Sequence, residues 1–342
     1  MTTTLTSTYY VDAAGGSDTN SGLSATTAWQ TLDQVSKQTY GPGARILLKA
    51  GQRFAGVLAP QWLGLGGQAH CGGPRHGTGD RPALDGNGAA YTLRLDNQQY
   101  WEVNNLEITN YNAAEEGGLT LAQWEANNVT QWASVVQPPQ YAVTRTKKFG
   151  LLVSAQDIGA VKHLHFVNIN MHGINGFIDN DRDDSKFNGG MFFDIGGTAV
   201  PTYFDDLLIE KCRIADVDRT GVSNRSSWTN RTLSTSVNWT PTLNYVIRGN
   251  TFERIGGQRP DCAGFQNPLI ERNLFDHCAI KTPGNAGFNF DTDGALWQFN
   301  ESRFTKANVK DTGRPAAWTA TTRASGHHYA VQLPPTTPTT AR

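Results

Sequence analysis

The chain has 342 residues, enough for one large domain or two ordinary ones. Its 29 Lys and Arg residues nearly balance its 30 Asp and Glu residues, which argues against DNA or an anionic membrane surface as a partner. No run approaches the roughly 18 apolar residues of a membrane-spanning helix.

The composition favours short strands joined by tight turns. Charged residues make up only 17% of the chain, below the roughly 25% of typical soluble domains, and 36 residues are glycine. Such sequences are typical of β-proteins with many turns. The four cysteines contain no CxxC pair, which argues against a zinc site of that kind. We expect buried free thiols, because Cys is among the most buried residue types. The cysteines are Cys71, Cys212, Cys262 and Cys278.

The N-terminal segment carries a family resemblance. Residues 9–12 (Tyr-Tyr-Val-Asp), 28–32 (Ala-Trp-Gln-Thr-Leu) and 42–51 (Pro-Gly-Ala-Arg-Ile-Leu-Leu-Lys-Ala-Gly) resemble the start of bacterial right-handed parallel β-helix proteins. These are pectate-lyase-like polysaccharide lyases and glycoside hydrolases. The resemblance continues to about residue 305, and it implies a first strand, a turn, a short capping helix near residues 28–38 and a further strand. Many activities share this fold, so the resemblance does not choose a reaction.

A short pattern recurs along the middle of the chain: apolar residues, then Asn or Cys, then alternating polar and apolar residues. The hinge residues of the copies are Asn105, Asn168, Cys212, Asn250, Asn273 and Asn300. The last two separations, 23 and 27 residues, fit the about 20–45 residues of stacked solenoid repeats. The earlier separations of 63, 44 and 38 residues indicate skipped coils or inserted loops.

Each copy predicts two short strands that meet at the hinge. Alternate side chains of a strand point inward, and an Asn at the hinge tolerates left-handed backbone and bonds to neighbouring backbone. Stacked hinges are therefore expected to form an internal hydrogen-bonded ladder. An ordinary β-sandwich is the alternative, but it would not need the same hinge at near-constant spacing. We predict an all-β right-handed parallel β-helix solenoid, with strands over about residues 40–305, a short N-terminal capping helix and long loop insertions.

Three insertions separate the copies, at residues 111–148, 173–190 and 222–243. Long loops on a rigid scaffold usually carry binding and catalysis. The acidic stretch 179–184 supplies oxygen ligands that suit Ca²⁺, but its spacing does not match the EF-hand loop. A solvated acidic turn is the favoured interpretation, and we assign no metal ligands.

Three carboxylates are candidates for catalysis. A glycoside hydrolase needs two carboxyl groups that flank the scissile bond. Asp293 and Glu301 are the first candidates and Asp218 is the third. Asp293 also fits an Asp-Gly turn, and Asp218 also fits a salt bridge to Arg219.

Other residues suit substrate binding or the alternative reaction. A uronate lyase would need a base such as Lys186 or Arg219, with Ca²⁺ or cationic side chains to stabilise the enolate. Trp228 offers a flat ring for a sugar. His172 lies at a coil corner, where a hydrogen-bonded core role is the favoured interpretation. A non-catalytic glycan-binding protein, or a truncated chain without its active centre, is the third hypothesis.

The leading hypothesis is a polysaccharide-degrading glycoside hydrolase that needs no cofactor, with Ca²⁺ involved only if the protein is a lyase. A polysaccharide or oligosaccharide is the expected partner of a monomeric protein, with neither nucleic acid nor membrane. The N-terminus lacks the basic and apolar regions of a signal peptide, so either the leader is absent from this chain or the protein stays inside the cell. We expect the first, a secreted protein.

The C-terminal residues 312–342 differ from the rest. They are rich in Thr and Pro and offer little apolar surface to bury. The family resemblance stops near residue 310, and codons for residues 330–334, displaced by one base, can read Gln-Tyr-Asn-Tyr as in a further coil of the family. We therefore expect one β-helix domain over residues 1–311 and a poorly ordered or out-of-frame tail. A natural Thr/Pro-rich linker is the alternative.

Overall fold

A computed structural model describes residues 7–62, 69–71, 76–132, 142–179, 182–232, 235–257, 260–279, 281, 287–303, 322–324 and 329–331. The described chain is mostly β-strand with few helices. The helices are α1 (Leu32–Ser36), α2 (Leu121–Trp132) and the short 3-10 helices Ala25–Thr27, Ala113–Glu116 and Asp183–Lys186. No described helix has the length and apolar character needed to span a membrane.

The strands are short and follow one another closely. The first fourteen are β1 (Thr8–Val11), β2 (Thr39–Tyr40), β3 (Arg45–Leu48), β4 (Arg53–Ala55), β5 (Gln61–Trp62), β6 (Ala69–Cys71), β7 (Ala83–Asp85), β8 (Tyr91–Asp96), β9 (Trp101–Asn104), β10 (Glu107–Asn110), β11 (Phe149–Gln156), β12 (Ala160–Val167), β13 (Asn170–Ile174) and β14 (Gly189–Gly196). The others are β15 (Tyr203–Glu210), β16 (Arg213–Val217), β17 (Thr220–Ser226), β18 (Thr229–Thr232), β19 (Thr235–Trp239), β20 (Leu243–Arg248), β21 (Thr251–Ile255), β22 (Asp261–Ala263), β23 (Leu269–Glu271), β24 (Leu274–Cys278), β25 (Gly287–Phe290), β26 (Ala295–Gln298), β27 (Glu301–Arg303), β28 (Thr322–Ala324) and β29 (Tyr329–Val331).

Most strands belong to three parallel sheets. The first sheet has the order β1-β3-β6-β9-β12-β15-β20-β23-β26, with β28 added antiparallel at its end. The second sheet runs β4-β7-β10-β13-β16-β21-β24-β27, and the third runs β8-β11-β14-β17. Successive coils of chain thus give one strand to each sheet, as β9, β10 and β11 do before β12, β13 and β14. This arrangement confirms the predicted all-β, solenoid-like stack of parallel strands.

The core lies inside the coils. In β12 the side chains of Val161, Leu164 and Phe166 are buried. Leu164 lies in register with Trp101 on one side and Leu207 on the other, so apolar residues stack from coil to coil. Each fully buried side chain of this size stabilises the fold by about 1.5–3 kcal/mol relative to an exposed one.

The predicted asparagine ladder forms in the C-terminal coils. Asn273 Oδ1 accepts hydrogen bonds from the backbone N–H and the side-chain amide of Asn250, both at 3.0 Å. Asn300 Oδ1 accepts the same two bonds from Asn273, at 3.0 and 2.9 Å. Cys212 continues the column, because its N–H donates to Asn250 Oδ1 at 2.8 Å. A buried amide is stable here because its donors and acceptor are all satisfied.

The hinge alignment predicted for the earlier copies is wrong by one residue. Strand pairing places Asn105 and Asn168 in register with Lys211, one position before Cys212. These three residues have left-handed backbone, with φ of 58°, 55° and 52°. In the coil of Asn105 the ladder position is occupied by the buried Leu106. The two roles expected of one Asn, left-handed turn and internal hydrogen bonding, therefore belong to two adjacent positions.

The long early separations are insertions and not skipped coils. Strands β9 and β12 are neighbours in the first sheet although 63 residues separate Asn105 from Asn168. The intervening chain contains β10, the 3-10 helix at 113–116, α2 and β11.

The short N-terminal helix is confirmed as α1. Thr31 caps it, since its side chain accepts a hydrogen bond from the Gln34 N–H at 3.1 Å. Leu32 and Val35 are buried in the same apolar cluster as Tyr40, so the helix covers core side chains of the N-terminal coil.

Two of the cysteines are free, buried thiols, as expected. These are Cys212 and Cys278. Burial raises the pKa of Cys212 to about 12, so this thiol stays protonated and unreactive. The side chains of Cys71 and Cys262 lie outside the described residues.

The C-terminal tail is described only in part. Its strands β28 and β29 pair antiparallel with β26 and β25. The rest of residues 312–342 lies outside the described residues, and the domain boundary near residue 311 stays a prediction.

Candidate functional site

The corner between the second and third sheets collects two of the long insertions. The chain leaves the second sheet after β10, β13 and β16 and enters the third sheet at β11, β14 and β17. Residues 111–148 and 175–188 are inserted at this corner, whereas the turn after β16 is short. Charged side chains from the first insertion and polar side chains from the second meet the coils here.

Asp218 lies at the centre of this corner. It follows β16, and its carboxylate is completely buried. Arg145 donates to one of its oxygens and Lys281 to the other, both through short contacts. A buried charge is tolerated when it is paired and hydrogen-bonded in this way. Both cations are far from Asp218 in the sequence. The salt-bridge partner expected from the sequence was the adjacent Arg219.

A second carboxyl group shares the same arginine. The Arg145 guanidinium also contacts the Glu116 carboxylate at 2.8 Å, so one side chain joins Glu116 to Asp218. The amide of Asn175 donates to Glu116 at 2.9 Å. Burial raises the pKa of Glu116, against the hydrogen bond of Asn175 and the charge of Arg145, and the negative charge of Asp218 adds to the rise. A carboxyl group of raised pKa beside one that is held by two cations suits acid–base chemistry.

A neighbouring ion pair fixes the first insertion to the coils. The buried Lys148 ammonium donates to Glu115 and, at 2.9 Å, to the carbonyl of Asn175. Burial lowers the pKa of Lys148, and the hydrogen bond to Glu115 acts in the opposite direction. Glu115 and Glu116 both belong to the 3-10 helix at 113–116, which is therefore held at two adjacent points.

Helix α2 is anchored at the same corner. The Lys281 ammonium donates to Asn128 at 3.2 Å and lies 5.1 Å from the ring centre of Trp124. His172 on β13 lies 2.6 Å from Glu125 of α2 and 3.5 Å from Glu107 of β10. Burial would lower the pKa of His172, but its hydrogen bonds to Glu107 and Glu125 outweigh burial and raise it to about 9. The imidazolium is thus part of the helix anchor.

The outer face of the third sheet carries an aromatic platform beside the corner, formed by Phe149, Phe187, Phe192 and Arg225. Phe149 and Phe192 stack with their ring centres 5.2 Å apart, and Phe187 lies 5.3 Å from Phe192. The Arg225 guanidinium lies 5.0 Å from the centre of the Phe187 ring and also holds Asp194 in a bidentate pair at 2.9 and 2.7 Å. Phe192 is buried beneath its neighbours, whereas Phe149 and Phe187 are partly exposed. Partly exposed rings with charged neighbours are suited to stacking against sugar rings.

Four of the predicted site residues lie at the corner, one of them being His172 in the anchor of α2. Arg219 follows Asp218 and is buried, and its Nε donates to Ser185 at 3.4 Å. Lys186 ends the 3-10 helix that contains Ser185, and its carbonyl accepts a hydrogen bond from Thr220 at 3.0 Å. Asp218, Arg219 and Lys186 are thus neighbours, although the sequence analysis made Asp218 a candidate catalytic carboxylate and the other two candidate bases.

The other predicted residues lie elsewhere. Trp228 donates its ring N–H to the carbonyl of Gly196 at 3.0 Å. Asp293 lies in the turn before β26 of the first sheet, and Glu301 begins β27 of the second sheet. The Glu301 side chain is 46% exposed and pairs with Arg303 at 2.6 Å. Asp293 and Glu301 therefore lie on different sides of one coil, and their pairing as acid and base stays a prediction.

The proposed calcium ligands are only partly described. The carboxylate of Asp184 lies 2.8 Å from Lys147 and 2.7 Å from Arg182, so the charge of this described carboxylate is balanced by two cations. Asn180, Asp181 and the side chain of Asp183 lie outside the described residues. Calcium binding at 179–184 stays a prediction.

Sequence reasoning missed Glu116, Arg145 and Lys281. Arg145 is 73 residues before Asp218 and Lys281 is 63 residues after it, so no local spacing connects them. The one available signal was the acidic pair at 115–116, which opens the insertion that follows β10.

Comparison with known proteins points to carbohydrate-active relatives. A lacto-N-biosidase of Bifidobacterium longum subsp. longum is 25% identical over 338 residues, which covers 80% of this chain and 20% of that protein. Two crystal structures of the GH136 lacto-N-biosidase from Eubacterium ramulus, a selenomethionine derivative and the native protein, share the fold. Their TM-scores are 0.66 and 0.63 at 18% and 17% identity, over 88% and 86% of this chain. No protein-family model matches the chain.

The chain spans a fifth of the curated relative and 52% and 56% of the two solved chains. These comparisons confirm the expected likeness to carbohydrate-active proteins. The relatives found are lacto-N-biosidases, so the finer pectate-lyase-like assignment receives no support from them.

Proposed function

We propose that the protein is a glycoside hydrolase that acts on an oligosaccharide, bound between the corner and the aromatic platform. The observation that carries this proposal is the pair of carboxyl groups, Glu116 and Asp218, joined by Arg145 within a fold shared with lacto-N-biosidases. The platform begins at Phe149, the residue after Lys148 of the corner, and offers a stacking surface on the adjoining sheet.

The two carboxyl groups have different roles in the proposed reaction. Hydrolysis of a glycoside needs one carboxyl group that protonates the leaving oxygen and one ionised carboxylate that attacks carbon or activates water. Glu116 is assigned the first role, because burial raises its pKa. Asp218 is assigned the second role, because Arg145 and Lys281 both pair with it.

Substrate access requires a movement in this proposal. Asp218 is completely buried, and the side chain of Glu116, which belongs to the first insertion, is nearly so. The 3-10 helix at 113–116 must shift to admit a sugar, as loops do in many enzymes that close over their substrates. Its attachment through ion pairs, with few apolar contacts, suits such a movement.

We also propose that the coils wind as a right-handed parallel β-helix. A connection between parallel strands of one sheet is right-handed in about 98% of cases. Strands β9, β12 and β15 are parallel neighbours in the first sheet, so the rule applies to their connections. Residues 1–311 as one domain, secretion and a monomeric state remain predictions from the sequence.

The experiment is a substrate panel with matched variants. An aryl lacto-N-bioside, neutral oligosaccharides and a uronate polysaccharide are incubated with the chain. New reducing ends without ultraviolet-absorbing double bonds support hydrolysis. Unsaturated products, lost on addition of EDTA, would support the calcium-dependent lyase instead. Unmodified substrates would contradict both reactions.

Variants then locate the site. We expect Glu116→Gln to lower kcat by about 10²–10⁴-fold, the usual contribution of a general acid, and Asp218→Asn to do the same or more. Asp293→Asn and Glu301→Gln serve as the competing pair. If they abolish hydrolysis while Glu116→Gln retains it, the corner is not the active site even though the reaction is correct.

A further inference from the structure

The outer face of the first sheet carries a cluster of titratable side chains far from the corner. The histidine cluster consists of Glu102 on β9, His163 and His165 on β12, and Asp206 on β15. Because β9, β12 and β15 are adjacent strands, the cluster joins three successive coils. Leu164, between the two histidines, is buried in the core, so both imidazoles lie on the outer face.

Three of these side chains converge on one point. Single ligand atoms from Glu102, His163 and His165 all lie within 4.8 Å of one another. His163 Nε2 is 3.1 Å from a Glu102 oxygen, and the two imidazole centres are 3.9 Å apart. Ligand atoms bound to one zinc ion at about 2.0–2.2 Å lie roughly 3.5 Å apart. Small rotations of the side chains therefore bring them to bonding distance.

The fourth member orients the ligands. Asp206 Oδ2 lies 2.8 Å from His163 Nδ1, so the other ring nitrogen of His163 is directed at Glu102. Asp206 Oδ1 lies 2.8 Å from His165 Nε2. Carboxylates bound to the remote nitrogen of a ligand histidine fix its tautomer and ring orientation in many metal sites. Burial would raise the pKa of Asp206, but the hydrogen bonds to His165 and His163 outweigh it and lower the pKa.

The backbone is shaped around this cluster. His163 and Asp206 both have left-handed backbone, with φ of 54° and 71°. They occupy equivalent places in neighbouring strands, between the pairs Lys162–Asp205 and Leu164–Leu207. Such irregularities in a strand change the direction of a side chain. Here two coils have the same irregularity at the two residues that contact each other.

We propose that the histidine cluster binds a zinc ion, with Glu102, His163 and His165 as ligands and water in the fourth position. Two imidazoles and one carboxylate form a ligand set that zinc takes readily. The His163 and His165 side chains are 16% and 21% exposed, which leaves an open side for the ion and its water. The ion would link three coils, and it lies too far from the corner to take part in the proposed hydrolysis.

Zinc titration tests the site. The full chain is freed of metal with EDTA, exchanged into chelator-free buffer and titrated with zinc chloride by calorimetry. We expect one ion per chain with a Kd in the micromolar range or below, and at least a hundredfold loss in the double variant His163→Ala/His165→Ala. Asp206→Asn should weaken binding by about 10–100-fold, as second-sphere changes do, and keep the one-to-one ratio. His277→Ala is the control, because His277 lies on β24 of the second sheet, outside the histidine cluster, and pairs with the neighbouring carboxylate of Asp276 at 2.6 Å.

Cobalt replaces zinc in a second measurement. The visible absorption bands of bound Co²⁺ should disappear in the double variant. The wild-type spectrum should also lack the intense ultraviolet band that a thiolate ligand produces. A thiolate band would assign the metal to cysteines and overturn the proposal. So would an absence of zinc binding, or binding that the double variant retains.

Stability of the variants is controlled separately. If the double variant does not fold, Glu102→Gln decides the question, because it keeps the shape of the side chain and a hydrogen-bonding oxygen but removes the charge. Zinc should raise the Tm of the wild-type chain and have less effect on this variant at the same concentration. An equal rise in both would contradict the assignment of Glu102 as a ligand.

Discussion

The asparagine ladder and the Asp218 corner are both buried polar networks, but they are assembled in different ways. In the ladder, one neutral residue type repeats at the same place in successive coils, and each amide bonds to the next. In the corner, six charged groups come from three separate parts of the chain: the first insertion, the turn after β16, and residue 281.

This difference has an energetic consequence. A neutral amide ladder is satisfied within the coils, so it needs no other part of the molecule. A buried ion pair compensates a large desolvation penalty only while both partners are in place. The corner is therefore more sensitive to the loss of one side chain and more dependent on the position of the first insertion.

The largest expected effect tests this dependence directly. Asp218→Ala should lower the free energy of unfolding by about 3–5 kcal/mol, because it leaves the buried charge of Lys281 without its carboxylate and leaves Arg145 with Glu116 alone. Denaturant unfolding measures the change. The double variant Asp218→Leu/Lys281→Met should recover part of the loss, since it removes one uncompensated charge as well. A loss below 1 kcal/mol in the single variant would show that water reaches the pair.

A smaller effect is expected from the ladder. Asn273→Leu keeps the size of the side chain but leaves the N–H of Asn250 without its acceptor. One or two unsatisfied buried groups cost about 1–3 kcal/mol each, so we expect a loss of about 2–4 kcal/mol by denaturant unfolding. Gln298→Ala, which removes a surface hydrogen bond to Glu271, is the control and should change stability by less than about 0.5 kcal/mol.

The His172 anchor of α2 beside the corner should respond to pH, whereas the asparagines of the ladder do not titrate. The pKa of His172 is raised to about 9 in the folded protein, above its ordinary unfolded value of about 6.5. Its contribution to stability is therefore complete below about pH 6.5 and is lost as pH rises through 9. We expect unfolding free energies to fall by on the order of 2 kcal/mol between pH 6.5 and 9.5. His172→Gln should remove this part of the slope, and an unchanged slope would contradict the two-glutamate anchor.

The same contrast explains what the sequence could predict. The parallel coils and the ladder were predictable because stacked repeats place equal residues at near-equal intervals, as Asn250, Asn273 and Asn300 do. The early copies were misaligned by one residue, since Asn occurs there at the left-handed position while the ladder position holds Leu106. The partners of Asp218 were not predictable, because long insertions bring Arg145 and Lys281 to it without any repeat.

The smallest effect on stability separates the platform from the corner. Arg225 and Asp194 form a partly exposed pair on the third sheet, with side chains 53% and 23% exposed, and such pairs contribute at most about 1 kcal/mol. Arg225→Ala should therefore leave the Tm nearly unchanged. Arg225 lies over the Phe187 ring and beside Phe192, so its removal loosens the rings on which the sugar is proposed to stack. We expect binding of the oligosaccharide to weaken by about threefold to fivefold, equivalent to about 0.5–1 kcal/mol. Calorimetric titration with the substrate found in the panel measures this change.

Arg303→Ala is the control and is titrated in the same way, since Arg303 pairs with Glu301 on the second sheet. If both variants bind equally weakly, or if both bind like the wild type, the platform does not hold the sugar.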